Sequence, residues 1–323
     1  MTDKNISLVW SLAAVVIALG FGVADYGFGI NMSIATQLII VAFSLAVLGL
    51  SHGGLDHLVA QKMWASWVKT RVKTRVEKNA ISANQFMIIF LLGYGALALL
   101  VVLLWWLTPV LSLGVFLVMS ALHFGDDMRL ARTTKSTMVA LALGTMVIVL
   151  PWTFHTTDVA TIFAWLTESA VADWTNVRLK IVQIVSLLLL LVSVTVVVRV
   201  RLHIALDYLE CFAIVTLFCL APPLVAFAIF FSFLHANQHM LSLAQYFYPT
   251  VKTNIAYWRV FKASVPLTLI ALFIAALVWF FKPASINTYS LESAAQLIFI
   301  GLAALTMPHM LLVTVWSKFR PRN

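Results

Sequence analysis

Six of the chain's eight histidines fall inside apolar runs: His52 and His57 in GLSHGGLDH, His123 in SALHFGDD, His235 and His239 in SFLHANQHM, and His309 in LTMPHMLL. An ionisable side chain at membrane depth is costly, so it is usually kept for a task. His235 and His239 are four residues apart, project from one helical face and can hold the same ion. Between them stand Ala236, Asn237 and Gln238, without the glutamate that an HExxH peptidase uses as general base, so hydrolysis is set aside. His52 and Asp56 share a face by the same spacing. That makes His52 a ligand and Asp56 the partner that orients an imidazole. His57, about 140° round the helix from His52, points elsewhere. Gly53 and Gly54 would let a neighbouring helix or a ligand approach closely. Asp126 and Asp127, just after His123, read as solvated partners of Arg129 and Arg132. Phe124, Phe230, Phe231 and Phe233 read as packing or lipid-facing side chains.

The elements that position these residues follow from the solvent. In 323 residues, 62% are hydrophobic and only 10% are charged, too few to cover a water-facing surface. With a mean hydropathy of +1.00 the chain reads as a polytopic membrane protein. Apolar runs suited to a bilayer span fall at 6–24, 35–60, 84–107, 110–125, 137–153, 178–198, 204–221, 224–246, 262–281 and 291–316. The expected fold is therefore an all-α transmembrane bundle of about ten helices, within a range of eight to ten. Thr108–Pro109 and Pro222–Pro223 each end one span and open the next, because proline lacks an amide hydrogen and disfavours helix before it. Residues 167–174 read as a short interfacial helix.

Charge gives the orientation. With the N-terminus cytosolic, every Lys and Arg except Arg178, Lys180 and Lys282 of the chain's 21 lies on an inside segment or at its border, so both termini are expected in the cytosol. The net charge of +9 is thus topology information, and no basic-aromatic motif points to nucleic acid. The six histidines then lie in the cytosolic halves of spans two, four, eight and ten, most of them within about 5–15 Å of the inner ends. Scattered packing histidines have no reason to share a depth. His155 and His203 fall in connecting segments. Cys211 and Cys219 share one apolar run without CxxC spacing and read as small core residues.

A shared metal at His52, His123, His235 and His239 is the reading these facts support, with Asp56, His57 and His309 as candidates for supporting the ligands. For His57 and His309 the plain alternative, an imidazole hydrogen-bonded between helices, carries more weight. Neutral imidazoles suit zinc, copper or iron rather than a hard oxygen-loving ion. Neither a GxGxxG nor a Walker loop is present, so hydride and phosphoryl transfer are not indicated.

Taken in order, GLSHGGLDH, SALHFGDD, HANQH and LTMPHMLL resemble motifs of the Brp/Blh family of membrane β-carotene 15,15′-dioxygenases, over about 45–315. Ser51 stands where Pro is expected and Gln238 where Arg is common. The resemblance implies a helical membrane enzyme of the plasma membrane that uses Fe(II) and O2 to split β-carotene into two retinal. It implies the same four ligands, His52, His123, His235 and His239, and a functional link to a retinal-binding rhodopsin. The whole chain is expected to form one integral-membrane catalytic domain, with the first span and its loop (6–34) peripheral to the family core. Two other readings remain open: a histidine-lined metal or proton transporter, and a non-catalytic partner that carries carotenoid or retinal.

Overall fold

The computed structural model describes residues 3–29, 32–73, 82–169, 176–200, 205–281 and 290–319, and every regular element among them is helical. In chain order these are α1 (Asp3–Gly22), α2 (Ile34–Ser44), α3 (Leu50–Gly53), α4 (Asp56–Lys73), α5 (Ala83–Leu107), α6 (Pro109–Asp127), α7 (Arg129–Thr134) and α8 (Thr137–Phe154). They are followed by α9 (Thr156–Thr167), α10 (Asn176–Val198), α11 (Ala205–Leu220), α12 (Pro223–Ile229), α13 (Asn237–Phe247), α14 (Thr253–Phe280) and α15 (Leu291–Phe319). Three π-helical segments, Val23–Gly27, Leu45–Gly49 and Phe230–Ala236, interrupt this series.

Eight helices among the described residues are long and apolar enough to cross a membrane, the lower end of the expected range. The other two expected runs also form helices but are shorter: the apolar part of α1 is Leu8–Gly22, and α11 has 16 residues. These two short helices pack against each other. Both proline boundaries hold, with Pro109 opening α6 and Pro223 opening α12, where a missing amide hydrogen costs nothing. Ser82 opens α5 through a reciprocal cap with Gln85. Cys211 and Cys219 are free thiols, half-buried on α11.

The long segment expected on the outside forms a different helix from the one foreseen. Its helix is α9, over Thr156–Thr167, instead of 167–174; residues 170–175 lie outside the described residues. α9 is no surface element, since Val159, Ala160, Ile162, Ala164 and Leu166 are buried. It is tied in by Trp105 Nε1, which donates to the Leu166 carbonyl (2.8 Å), and by Gln296 Nε2, which donates to that of Trp165 (2.9 Å). In lipid, side-chain hydrogen bonds of this kind contribute about 0.6 kcal/mol each.

Helix association in a bilayer depends on close van der Waals packing, because lipid tails are as apolar as Leu. α6 and α8 show how closely these backbones approach. A Cβ on Gly125 would lie 1.8 Å from the Ala140 carbonyl oxygen, and one on Gly144 would lie 1.7 Å from that of Ala121. Ala121 and Gly125 on α6 thus face Ala140 and Gly144 on α8, a small-xxx-small pair on each helix. This crossing fixes the backbone on both sides of His123. The rod from Pro223 to Phe247 is the most deeply buried of the long helices, whereas α5, α10 and α14 lie at the outside of the bundle.

Candidate metal centre

Four helical rods bring five histidines together. The ring centroid of His52, on α3, lies 5.3 Å from His235, 5.8 Å from His239 and 5.0 Å from His309. His123, near the end of α6, lies 4.8 Å from His235 and 5.4 Å from His309, and His239 lies 5.3 Å from His309. The tightest group is His52, His123 and His235, whose ligand nitrogens all fall within 4.8 Å of one another; such a group could hold a metal ion. His52, His123, His235 and His309 are all buried, and His239 is half-buried.

Backbone irregularities sit beside these imidazoles. The π segment Leu45–Gly49 ends three residues before His52, and the His52 Nδ1 donates to the Gly49 carbonyl, leaving its Nε2 lone pair free to bind. His235 lies within the π segment Phe230–Ala236, and His309 follows Pro308 inside α15. Short π-helical stretches inside helices recur at functional sites. At Gly54 a Cβ would meet the Ser264 carbonyl oxygen at 2.7 Å, so α14 closes on the turn after His52 only because no side chain is there.

A layer of partners surrounds the rings. Asp127 is not a solvated partner of Arg129 and Arg132. Its Oδ2 lies 3.3 Å from His235 Nδ1 and 3.8 Å from His239 Nδ1. Asp126, next to it, is exposed. The two arginines are engaged elsewhere: Arg129 Nε donates to Asp207 (3.0 Å) and its backbone N–H to Glu210 (3.1 Å), while Arg132 donates to Gln238 (3.0 Å), which donates to Glu210 (2.7 Å). Asp207 and Glu210, three residues apart on α11, went unnoticed in the sequence. Two acids in an apolar run were the available signal. Asp56 faces His309 instead of His52, with its Oδ1 2.8 Å from His309 Nδ1. Tyr94, on α5, places its hydroxyl 3.0 Å from Asp56 Oδ2, a partner that no sequence rule selected.

Phe124, Phe230 and Phe231 are buried walls against the imidazoles, not lipid-facing: Phe124 is 5.0 Å and Phe231 5.5 Å from the His235 ring centroid, and Phe231 is 5.4 Å from His52. Phe233 packs on Trp10 of α1. His57 turns away, as its angular position indicated, and its Nδ1 bonds the Gly54 carbonyl at 2.9 Å. His155 stands half-buried at the α8–α9 junction, and His203 lies outside the described residues.

The donor set fits a transition metal. Nε2 of His123, both ring nitrogens of His235 and Nε2 of His309 are buried without a hydrogen-bond partner in the protein. Bare nitrogens of this kind are costly unless something electropositive receives them. Imidazoles suit zinc, copper and iron.

Comparison with known proteins points the same way. No solved structure matches the chain. A beta-carotene 15,15'-dioxygenase from the uncultured marine bacterium 66A03 is 27% identical over 284 residues, which span 87% of this chain and 94% of that protein. The sequence profile of the family described as beta-carotene 15,15'-dioxygenase matches residues 43–317, which include all five clustered histidines but not α1. Matched over most of its length, the chain belongs to the beta-carotene 15,15'-dioxygenase family.

Proposed function

We propose that this chain uses O2 and a non-haem Fe(II) to cleave the central 15,15′ double bond of β-carotene, giving two molecules of retinal. The observation that carries the reading is the buried group of His52, His123 and His235, with its unpartnered ring nitrogens, in a member of this family. In this reading His52, His123, His235 and His239 hold Fe(II), which together with O2 supplies the oxidising chemistry. The carbon–carbon double bond is broken and each cut end becomes an aldehyde.

The protein's own contribution is placement and exclusion. Asp127, close to Nδ1 of both His235 and His239, sets the direction in which those rings present Nε2. Phe124, Phe230 and Phe231 keep water from the imidazoles and give a hydrocarbon an apolar wall. β-Carotene, insoluble in water, enters from the bilayer between helices and is held with its middle against the cluster. The chain acts as one integral unit of the plasma membrane with both termini cytosolic, α1 is peripheral to the catalytic core, and the retinal produced supplies a retinal-binding rhodopsin.

Expression in β-carotene-producing cells tests this directly. Pigment should bleach with accumulation of retinal, and His235→Ala should insert into the membrane yet leave the cells coloured. Unchanged carotene in cells that hold the folded, iron-loaded protein would overturn the proposal.

A further inference from the structure

The surroundings of His309 are not explained by a ligand set of His52, His123, His235 and His239. It is 2% exposed and follows Pro308 in α15. Its Nδ1 lies 2.8 Å from Asp56 Oδ1, and because a carboxylate can only accept, Nδ1 carries a proton, so that in the neutral ring Nε2 keeps its lone pair. That Nε2 is buried without a hydrogen-bond partner. The ring does not face lipid: its centroid is 5.0 Å from His52, 5.4 Å from His123 and 5.3 Å from His239. A packing histidine hydrogen-bonded between helices would satisfy both nitrogens. This one has a partner on Nδ1 and none on Nε2, although its ring lies among the other imidazoles. An imidazole whose far nitrogen donates to a carboxylate is the usual arrangement of a metal-bound histidine, because the carboxylate fixes the tautomer and makes the opposite nitrogen more basic.

We propose that His309 is itself a metal ligand, delivered by α15, and that Asp56 and Tyr94 are positioning residues that hold its ring. The inference rests on reading the histidine cluster as a metal centre. Tyr94 OH lies 3.0 Å from Asp56 Oδ2 and 3.0 Å from the Leu305 carbonyl, so one hydroxyl on α5 joins the start of α4 to the turn of α15 that precedes His309. Its single proton serves mainly the carboxylate, the stronger acceptor. The metal would then join α15 to α3, α6 and the π segment of His235. Asp56 and His309, 253 residues apart in the chain, would become parts of one arm of the site.

The test is iron binding by the full-length protein in detergent, loaded anaerobically with Fe(II) and challenged with a chelator, with the EPR spectrum of the nitric oxide adduct as second readout. His309→Ala should lower iron affinity at least tenfold and change the spectrum. Asp56→Asn should weaken binding about tenfold, the low end for a partner of a ligand. Iron should return to His309→Gly when imidazole is added, a rescue that a purely structural role for the ring would not give. If His309→Ala does not fold, His309→Gln, checked for wild-type helix content, should show the same loss. Wild-type affinity and an unchanged spectrum in the folded His309 variant, alongside iron loss in His235→Ala, overturn this inference and leave the proposed function standing. Iron retained by both variants removes the metal-centre reading and this inference together.

Discussion

At the scale of single residues, the carboxylates decide what the imidazoles can do. Asp127 stands one helical turn after His123 and close to Nδ1 of both His235 and His239. A carboxylate at that distance favours the proton on Nδ1 of each ring, which would make the opposite nitrogens the better ligands. Asp127→Ala should weaken iron binding about 10–100-fold, as read by chelator competition, whereas Asp126→Ala, at an exposed position, should leave it unchanged. Equal affinities for the two variants would remove Asp127 from the site. The spacing that paired His52 with Asp56 also relates His123 to Asp127, so this carboxylate was within reach of the sequence. Adjacent arginines drew the assignment away. That Arg129 and Arg132 are taken up by Asp207, Glu210 and Gln238 is a tertiary fact with no local signature. His309 illustrates the same limit, since its worth depends on Asp56 arriving from another helix.

At the scale of elements, irregular backbone is concentrated near the cluster and close crossings hold it in place. Helix ends at Thr108–Pro109 and Pro222–Pro223 were legible because proline acts locally. The π segments were not, because an extra residue in a helical turn leaves no mark on hydropathy. Nor was α9, whose apolar residues sit in a stretch marked by acids and lacking Lys and Arg, and so read as an outside loop. The α6–α8 crossing admits a direct check. Gly144→Val should clash with the Ala121 backbone and destabilise the fold by about 1–3 kcal/mol, measured by unfolding in detergent. Gly114→Val, on α6 and with nothing near a new Cβ, should be close to neutral. Equal stability of the two would mean that the helices do not meet as described.

At the scale of the whole molecule, apolar composition pointed to a membrane bundle, and the expected common depth of the histidines pointed to side chains that the fold does bring close together. The order of burial completes that picture. The rod carrying His235 and His239 lies innermost, and outer helices such as α5 and α10 expose Leu, Ile and Val. Which rods would be neighbours was not legible, since that depends on small-residue surfaces and on polar side chains meeting across the bundle. On the proposed function, such an arrangement would let a water-insoluble polyene reach a buried centre from lipid without crossing water. The central claim, that the clustered imidazoles hold one iron, is tested most directly by the metal content of the protein purified after anaerobic loading with Fe(II) and removal of excess. Close to one iron per chain is expected, reduced to near zero by substitution of His52, His123 and His235 together. A folded wild-type protein that retains no metal, or a triple variant that retains as much as wild type, would contradict it.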